Sequence, residues 1–144
     1  MSVVLFKELI TNNDKKIAIA ELNSPKSLNA LSLEMMTLLI TQLTLWQDDD
    51  DVVMVILQGA GDKAFCAGGD VVSLYHALTE QRKTVQPNEE FVVLDETTVR
   101  ESLAYEFFTK EYYLDQFIHE YSKPVMVWGD GYVIGGGIVL FSGA

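Results

Sequence analysis

Residues 52–70 read VVMVILQGAGDKAFCAGGD. Val52 to Leu57 is an unbroken apolar run rich in β-branched side chains, closed by Gly59 and Gly61. Such a run predicts a strand buried on both faces, as in a parallel sheet. Lys63 to Asp70 follows as a loop, and a helix is expected from Asp70 to about Leu78. Strand, glycine loop and helix in that order make the repeating unit of an α/β fold with right-handed crossovers.

Upstream, residues 3–10 and 16–22 read as short strands, with Thr11-Asn12-Asn13-Asp14 as turn chemistry between them. Asn23 to Asn29 is a loop around Pro25. Ser32 is placed to cap a helix whose first turn holds Glu34. Leu33, Met36, Ile40, Leu43 and Trp46 then recur at helical spacing. Asp48 to Asp51 oppose the helix dipole and read as a solvated loop that stops the helix. Downstream, residues 79–98 are polar and irregular, and a mobile or inserted loop is expected there. A long helix is expected from about Thr98 to Tyr121, broken at Lys123-Pro124. Val125 to Trp128 reads as a second buried strand. Gly129 to Gly137 is a glycine-rich turn, and an apolar helix begins near Gly136.

The chain has 144 residues, 49% of them hydrophobic, which suits one globular domain. Its net charge is −11, from 21 acidic and 10 basic residues. Phosphate backbones and anionic membranes repel such a surface, so neither nucleic acid nor membrane is an expected partner. The only cysteine is Cys66, so no internal disulfide can form. MSVVLFKELI lacks the layout of a signal peptide. A cytoplasmic location is the expectation, or a mitochondrial matrix one if a transit peptide was removed. No Cys, His or carboxylate cluster has metal-ligand spacing, and neither a metal nor a bound cofactor is expected.

The chemistry concentrates in Phe65-Cys66-Ala67-Gly68-Gly69-Asp70 and Gly135-Gly136-Gly137, each after a strand and at a helix start. A helix N-terminus carries unpaired N–H groups and about half a positive charge. Two such amide clusters converging on one point would hold the oxyanion of an acyl thioester. Tight turns alone, or a phosphate cradle, are the alternatives. A dinucleotide fingerprint fits poorly, because its third glycine would fall on Ile134. Asp70 reads as the cap of the following helix, and Cys66 as a small buried thiol. His76 and His119 read as helix-surface residues.

NSPKSLNALSLEMM (residues 23–36), KAFCAGGD (63–70) and KPVMVWGDGYVIGGG (123–137) resemble, in order, three signatures of the crotonase, or enoyl-CoA hydratase/isomerase, family. The resemblance implies a crotonase-like β–β–α spiral that binds an acyl-CoA, with coenzyme A present only as part of the substrate. It implies that the amides of Gly69 and Gly136 polarise the thioester carbonyl, with Ala67, Gly68 and Asp70 lining the same loop. Apart from the resemblance, Lys26 and Lys63 are the candidates to face the coenzyme A phosphates, with solvated loop lysines as the simpler reading.

Hydratases of this family carry a glutamate where this chain has Val139, which cannot transfer a proton. The glycine pair before Asp70 and the segment FFTKEYYLDQFI (residues 107–118) instead resemble the 3-hydroxyisobutyryl-CoA hydrolase branch. That likeness implies a substrate contact for Glu111. Independently, Glu111 interrupts the apolar stripe of Ala104, Phe107, Leu114 and Ile118. On the stripe alone, a carboxylate reaching water or pairing with a lysine is the simpler reading; the resemblance turns it toward a site. Family members are longer, and their later acidic residues have no counterpart before Ala144. The expectation is therefore residues 1–144 as the N-terminal part of an acyl-CoA-binding domain, truncated on its C-terminal side. Exposed apolar edges should result, and a homo-oligomer is one way to cover them. The competing readings are an enoyl-CoA hydratase/isomerase and a non-catalytic binding or interaction fragment.

Overall fold

The computed structural model describes residues 2–84 and 102–144, and of residues 80–84 the backbone alone. Strand β1 (Val4–Ile10) runs antiparallel to β2 (Lys16–Leu22), from Val4 opposite Leu22 to Ile10 opposite Lys16. The hairpin closes through Asp14, whose φ of 58° suits an aspartate. Strand β3 (Val52–Gly59) lies parallel to β2, and β5 (Val125–Trp128) parallel to β3, giving the order β1-β2-β3-β5. A second, two-stranded sheet pairs β4 (Ala64–Cys66) with β6 (Tyr132–Val133) in parallel. Ala64 to Cys66 is thus a short buried strand where a loop is expected; its three side chains are fully enclosed.

Four helices complete the described fold: α1 (Leu33–Asp48), α2 (Val71–Thr84), α3 (Leu103–His119) and α4 (Gly136–Gly143). Ser32 caps α1, accepting from the Met35 N–H at 3.1 Å. The buried face of α1 is Met35, Met36, Leu39, Leu43 and Trp46. Leu33 and Ile40, expected in the stripe, sit at its border instead, because the helix rolls Met35 and Leu39 onto the sheet. Trp46 packs edge-to-face on Phe6 at 5.5 Å and donates its indole N–H to Glu8 at 2.9 Å. The acidic turn stops α1 as expected, with Asp48, Asp50 and Asp51 exposed and lysines beside it. Lys16 pairs with Asp49 at 3.0 Å and Lys15 with Asp51 at 2.9 Å. Lys123 donates to the Trp46 carbonyl at 2.7 Å and to that of Asp49, satisfying orphan carbonyls at the helix end.

Helix α2 runs to Thr84, so residues 79–84 are helical where a loop is expected, and residues 85–98 lie outside the described ones. Helix α3 begins at Leu103, capped by Ser102; the expected start near Thr98 also lies outside. Among the described residues, no helix is long and apolar enough to cross a membrane.

Neither β3 nor the edge strand β5 is buried on both faces. The register sets Ile19, Ile56 and Met126 in one row across the sheet, with Ala20, Leu57 and Val127 in the next. Ala18, Ala20, Val55 and Leu57 are buried under the helices. On the opposite face Met126 is 41% exposed and Trp128 63%. The apolar run of β3 misleads because it feeds two faces of which the described helices cover one. Ile134, just after β6, and Ile138, Val139 and Phe141 on α4 are further exposed apolar side chains.

Asn29 ties these pieces together. It is fully buried, with φ 54°, and its amide donates to the carbonyls of Ala60 (2.9 Å) and Ala64 (2.8 Å). Its side-chain oxygen accepts from the Ser24 N–H at 2.9 Å. Asn29→Ala leaves three backbone groups unpaired, the Ala64 carbonyl fully buried and the other two partly so, and should lower unfolding free energy by about 2–4 kcal/mol. Urea denaturation with an unchanged m-value checks this, and a loss below about 1 kcal/mol would refute the assignment.

Candidate active site at two glycine loops

The pairing of β4 with β6 brings the two glycine loops together. Tyr132 N–H donates to Lys63 O at 2.8 Å, and Ile134 N–H to Cys66 O at 3.0 Å. Gly68 has φ 89°, and a Cβ there would lie 3.0 Å from both the Gly136 nitrogen and the Ile134 carbonyl oxygen. The loops therefore touch backbone to backbone, which only glycine permits at this point.

Most amides of the first loop are committed. Ala67 N–H donates to Leu28 O at 3.0 Å, Asp70 N–H to Leu31 O at 2.9 Å, and Gly68 N–H to the Cys66 sulfur at 3.4 Å. Gly69 N–H has no acceptor among the described residues. Gly136 opens α4, and its N–H is likewise without an acceptor; the next two amides, of Gly137 and Ile138, close the first turn at 3.0 and 2.9 Å. A Cβ on Gly136 would lie 3.7 Å from the Gly69 nitrogen, so the two free donors occupy one small region.

Glu111 faces that region. It is 8% exposed. Its Oε1 and Oε2 each lie 3.2 Å from where a Gly69 Cβ would be, and Oε1 would collide with a Cβ on Gly136. Helix α3 presents it there because Phe107, Leu114 and Ile118 of the same stripe are buried. Burial raises the Glu111 carboxyl above the ordinary carboxylate range. Neither oxygen has a cationic partner among the described residues.

The remaining predicted residues separate. Asp70 turns away from the amides and caps α2, accepting from the Ser73 N–H at 3.0 Å and the Ser73 hydroxyl at 2.7 Å. Lys26 and Lys63 line a separate hollow of about 250 Å³ with Pro25, Leu28 and Gly61. Cys66 is fully buried, and burial pushes its thiol up to about 11. His76 and His119 are exposed. No group of three or more His, Cys, Asp or Glu that could hold a metal ion occurs among the described residues. Sequence reasoning missed Asp115, one turn beyond Glu111. Its Oδ1 is buried without a hydrogen-bond partner, and the one signal that could have found it is its i+4 spacing from Glu111.

A family model described as Enoyl-CoA hydratase/isomerase matches residues 17–144. The mitochondrial 3-hydroxyisobutyryl-CoA hydrolase of Xenopus tropicalis is 40% identical over 119 residues, covering 83% of this chain and 26% of that protein. The Danio rerio protein of the same name is 35% identical over 140 residues, 97% of this chain and 32% of that protein. The chain thus spans about a quarter to a third of the length of these relatives. Among solved structures, a carnitinyl-CoA dehydratase from Mycobacterium thermoresistibile superposes with a TM-score of 0.70 at 33% identity, covering 96% of this chain and 34% of that one. An enoyl-CoA hydratase from Rhodobacter sphaeroides superposes with a TM-score of 0.70 at 26% identity, covering 99% of this chain and 36% of that one.

Two outcomes follow from the packing. Gly136→Ala must displace the Glu111 carboxylate, and should cost about 1–3 kcal/mol in chemical denaturation, as overpacking does. An alanine tolerated without loss would mean that Glu111 moves freely. A thiol at about 11 is roughly one part in a thousand thiolate at pH 8. Cys66 in the native protein should accordingly react with a disulfide reagent only at the rate of unfolding, and reaction faster than that would place it at the surface.

Proposed function

The chain belongs to the enoyl-CoA hydratase/isomerase, or crotonase, family, and from that premise we propose that it serves hydrolysis of 3-hydroxyisobutyryl-CoA or a related 3-hydroxyacyl-CoA. The observation that carries this reading is the Glu111 carboxylate, buried against Gly69 and Gly136, where two backbone donors stand free. Water adds to the thioester carbon, and the carbonyl oxygen becomes an oxyanion held by the Gly69 and Gly136 N–H groups. Glu111 takes the water proton and returns it to the departing sulfur as the C–S bond breaks. The products are the free hydroxy acid and the coenzyme A thiol.

Further support comes from position 139. A hydratase acid there would stand three residues after Gly136, and Val139 can neither give nor take a proton. The names of the curated relatives point the same way. For coenzyme A itself, the Lys26 and Lys63 hollow offers local cations against a net charge of −11. Compact local charge is the form such recognition must take in an acidic protein, because the long-range field repels the ligand.

Free-thiol release from 3-hydroxyisobutyryl-CoA tests the reading. Glu111→Gln should lower kcat by roughly a hundredfold to ten-thousandfold, with a much smaller change in thermal stability. Hydration of crotonyl-CoA should stay at background. Brisk crotonyl-CoA hydration, or full thiol release by Glu111→Gln, would sink the hydrolase assignment.

A further inference from the structure

The ring of Phe107 stands at the same glycine as the Glu111 carboxylate. A Cβ on Gly69 would lie 3.1 Å from Phe107 Cε1 and 3.2 Å from each Glu111 oxygen, so both side chains close on one backbone position. They reach it from consecutive turns of α3, where residues four apart share a face. Phe107 is 3% exposed, and its ring meets that of Phe108 edge-to-face with centroids 5.4 Å apart. The reaction described above uses Glu111 and leaves Phe107 without a task.

Phe107 also lines a hollow of about 240 Å³ between the start of α1, α2 and the start of α3. Leu33, Leu74, Ala77 and Leu103 supply the apolar wall. Of the polar side chains there, Ser32 accepts from the Met35 N–H, and Asp70 accepts from the Ser73 N–H and hydroxyl. Glu34 is exposed at the rim. With its polar groups capping helices or in water, the hollow suits hydrocarbon. It is smaller than the roughly 300–1,000 Å³ of sites for drug-sized ligands, which leaves room for an alkyl chain of a few carbons.

This hollow adjoins the amide site through the backbone as well. Leu31 bridges to Gly69, and the next residue of each stretch, Ser32 and Asp70, lines the hollow. A thioester oxygen held about 3 Å from the Gly69 nitrogen starts its acyl chain close to the Phe107 ring.

We propose that Phe107 is a specificity-determining residue: its ring walls the hollow off from the Gly69 amide and limits the site to short acyl groups. The proposal rests on the thioester reading and sharpens its substrate class to short-chain, as opposed to medium-chain, 3-hydroxyacyl-CoA. A chain long enough to use the hollow must displace the ring, and a close-packed aromatic ring yields only at a cost. Truncating the ring joins the hollow to the site. Fitting or excluding a methylene in an apolar pocket changes kcat/KM by about tenfold to two-hundredfold, which sets the size of effect to look for.

The experiment compares thiol release from 3-hydroxyisobutyryl-CoA and 3-hydroxyhexanoyl-CoA by the full chain as wild type, Phe107→Ala and the double variant Phe107→Ala/Ala77→Leu. Wild type should favour the short substrate in kcat/KM; equal turnover of both overturns the wall. In Phe107→Ala the long-to-short ratio should rise by about tenfold or more. Ala77→Leu refills the hollow and should return the ratio toward the wild-type value. Loss of packing alone lowers both substrates together, so an unmoved ratio in an active Phe107→Ala protein overturns the proposal and leaves the hydrolase reading standing. A raised ratio that ignores Ala77→Leu puts the chain outside this hollow and overturns it too. Should Phe107→Ala fold poorly, Phe107→Leu is read by the same ratio. Calorimetric binding of the thioethers S-propyl- and S-hexyl-coenzyme A separates the two readings. A binding ratio shifted toward the hexyl compound in the variant, with no thiol release by wild type, upholds the wall and discards the hydrolase. Binding of neither thioether by wild type or variant overturns both.

Discussion

The buried amide of Asn29 fixes where three separate stretches of backbone meet. One side chain satisfies the turn at Ser24, the carbonyl of Ala60 after β3, and the carbonyl of Ala64 in β4. Loss of the amide would leave all three unpaired, the Ala64 carbonyl within the buried interior. The geometry also constrains its neighbours. A Cβ on Gly59 would lie 2.6 Å from the Phe65 carbonyl oxygen and 2.8 Å from the Asn29 amide nitrogen, so residue 59 must be glycine. Through this junction β4 is held close to β3, and β4 in turn sets the height at which the first glycine loop leaves the sheet.

From that anchor the site follows as a chain of backbone contacts. Strand β4 pairs with β6, β6 aims the second loop, and Gly68 lets the two loops touch. The amides that do not donate to Glu111 or to any other described acceptor, those of Gly69 and Gly136, remain as donors in search of an oxygen. Helix α3 closes the other side and brings a carboxylate to the same point. The arrangement sacrifices stability locally, since unpaired donors and a desolvated acid each cost free energy. Clustered in one small region, they form a preorganised polar environment.

The charge distribution has two scales. Globally the molecule is acidic, which favours solubility and repels anions. Locally, Lys15, Lys16 and Lys123 neutralise the acidic turn at the end of α1, while Lys26 and Lys63 gather at the hollow beside Asn29. Met126 and Trp128 are exposed on the sheet face opposite Val125 and Val127, and Ile138 and Phe141 are exposed on α4. These side chains are the part of the molecule least reconciled with water.

The order of the four-stranded sheet's strands and of the helices, both glycine loops, the caps at Ser32 and Asp70 and the intrusion of Glu111 into an apolar stripe were legible in the sequence. They rest on interactions within a few residues: side-chain spacing, cap chemistry and glycine at a strand end. What remained hidden depends on distant partners. The apolar run of Val52 to Leu57 could not reveal that one sheet face stays open, because burial is decided by which helices cross it. The same holds for Val125 to Trp128, and for the roll of α1 that buries Leu39 rather than Ile40. Ala64 to Cys66 became a strand only through β6, nearly seventy residues away. Nothing in the sequence set Asp115 apart from the other acids of its helix. Packing of elements remote in sequence against α3 encloses its Oδ1, and that desolvation is what raises its carboxyl above the usual value.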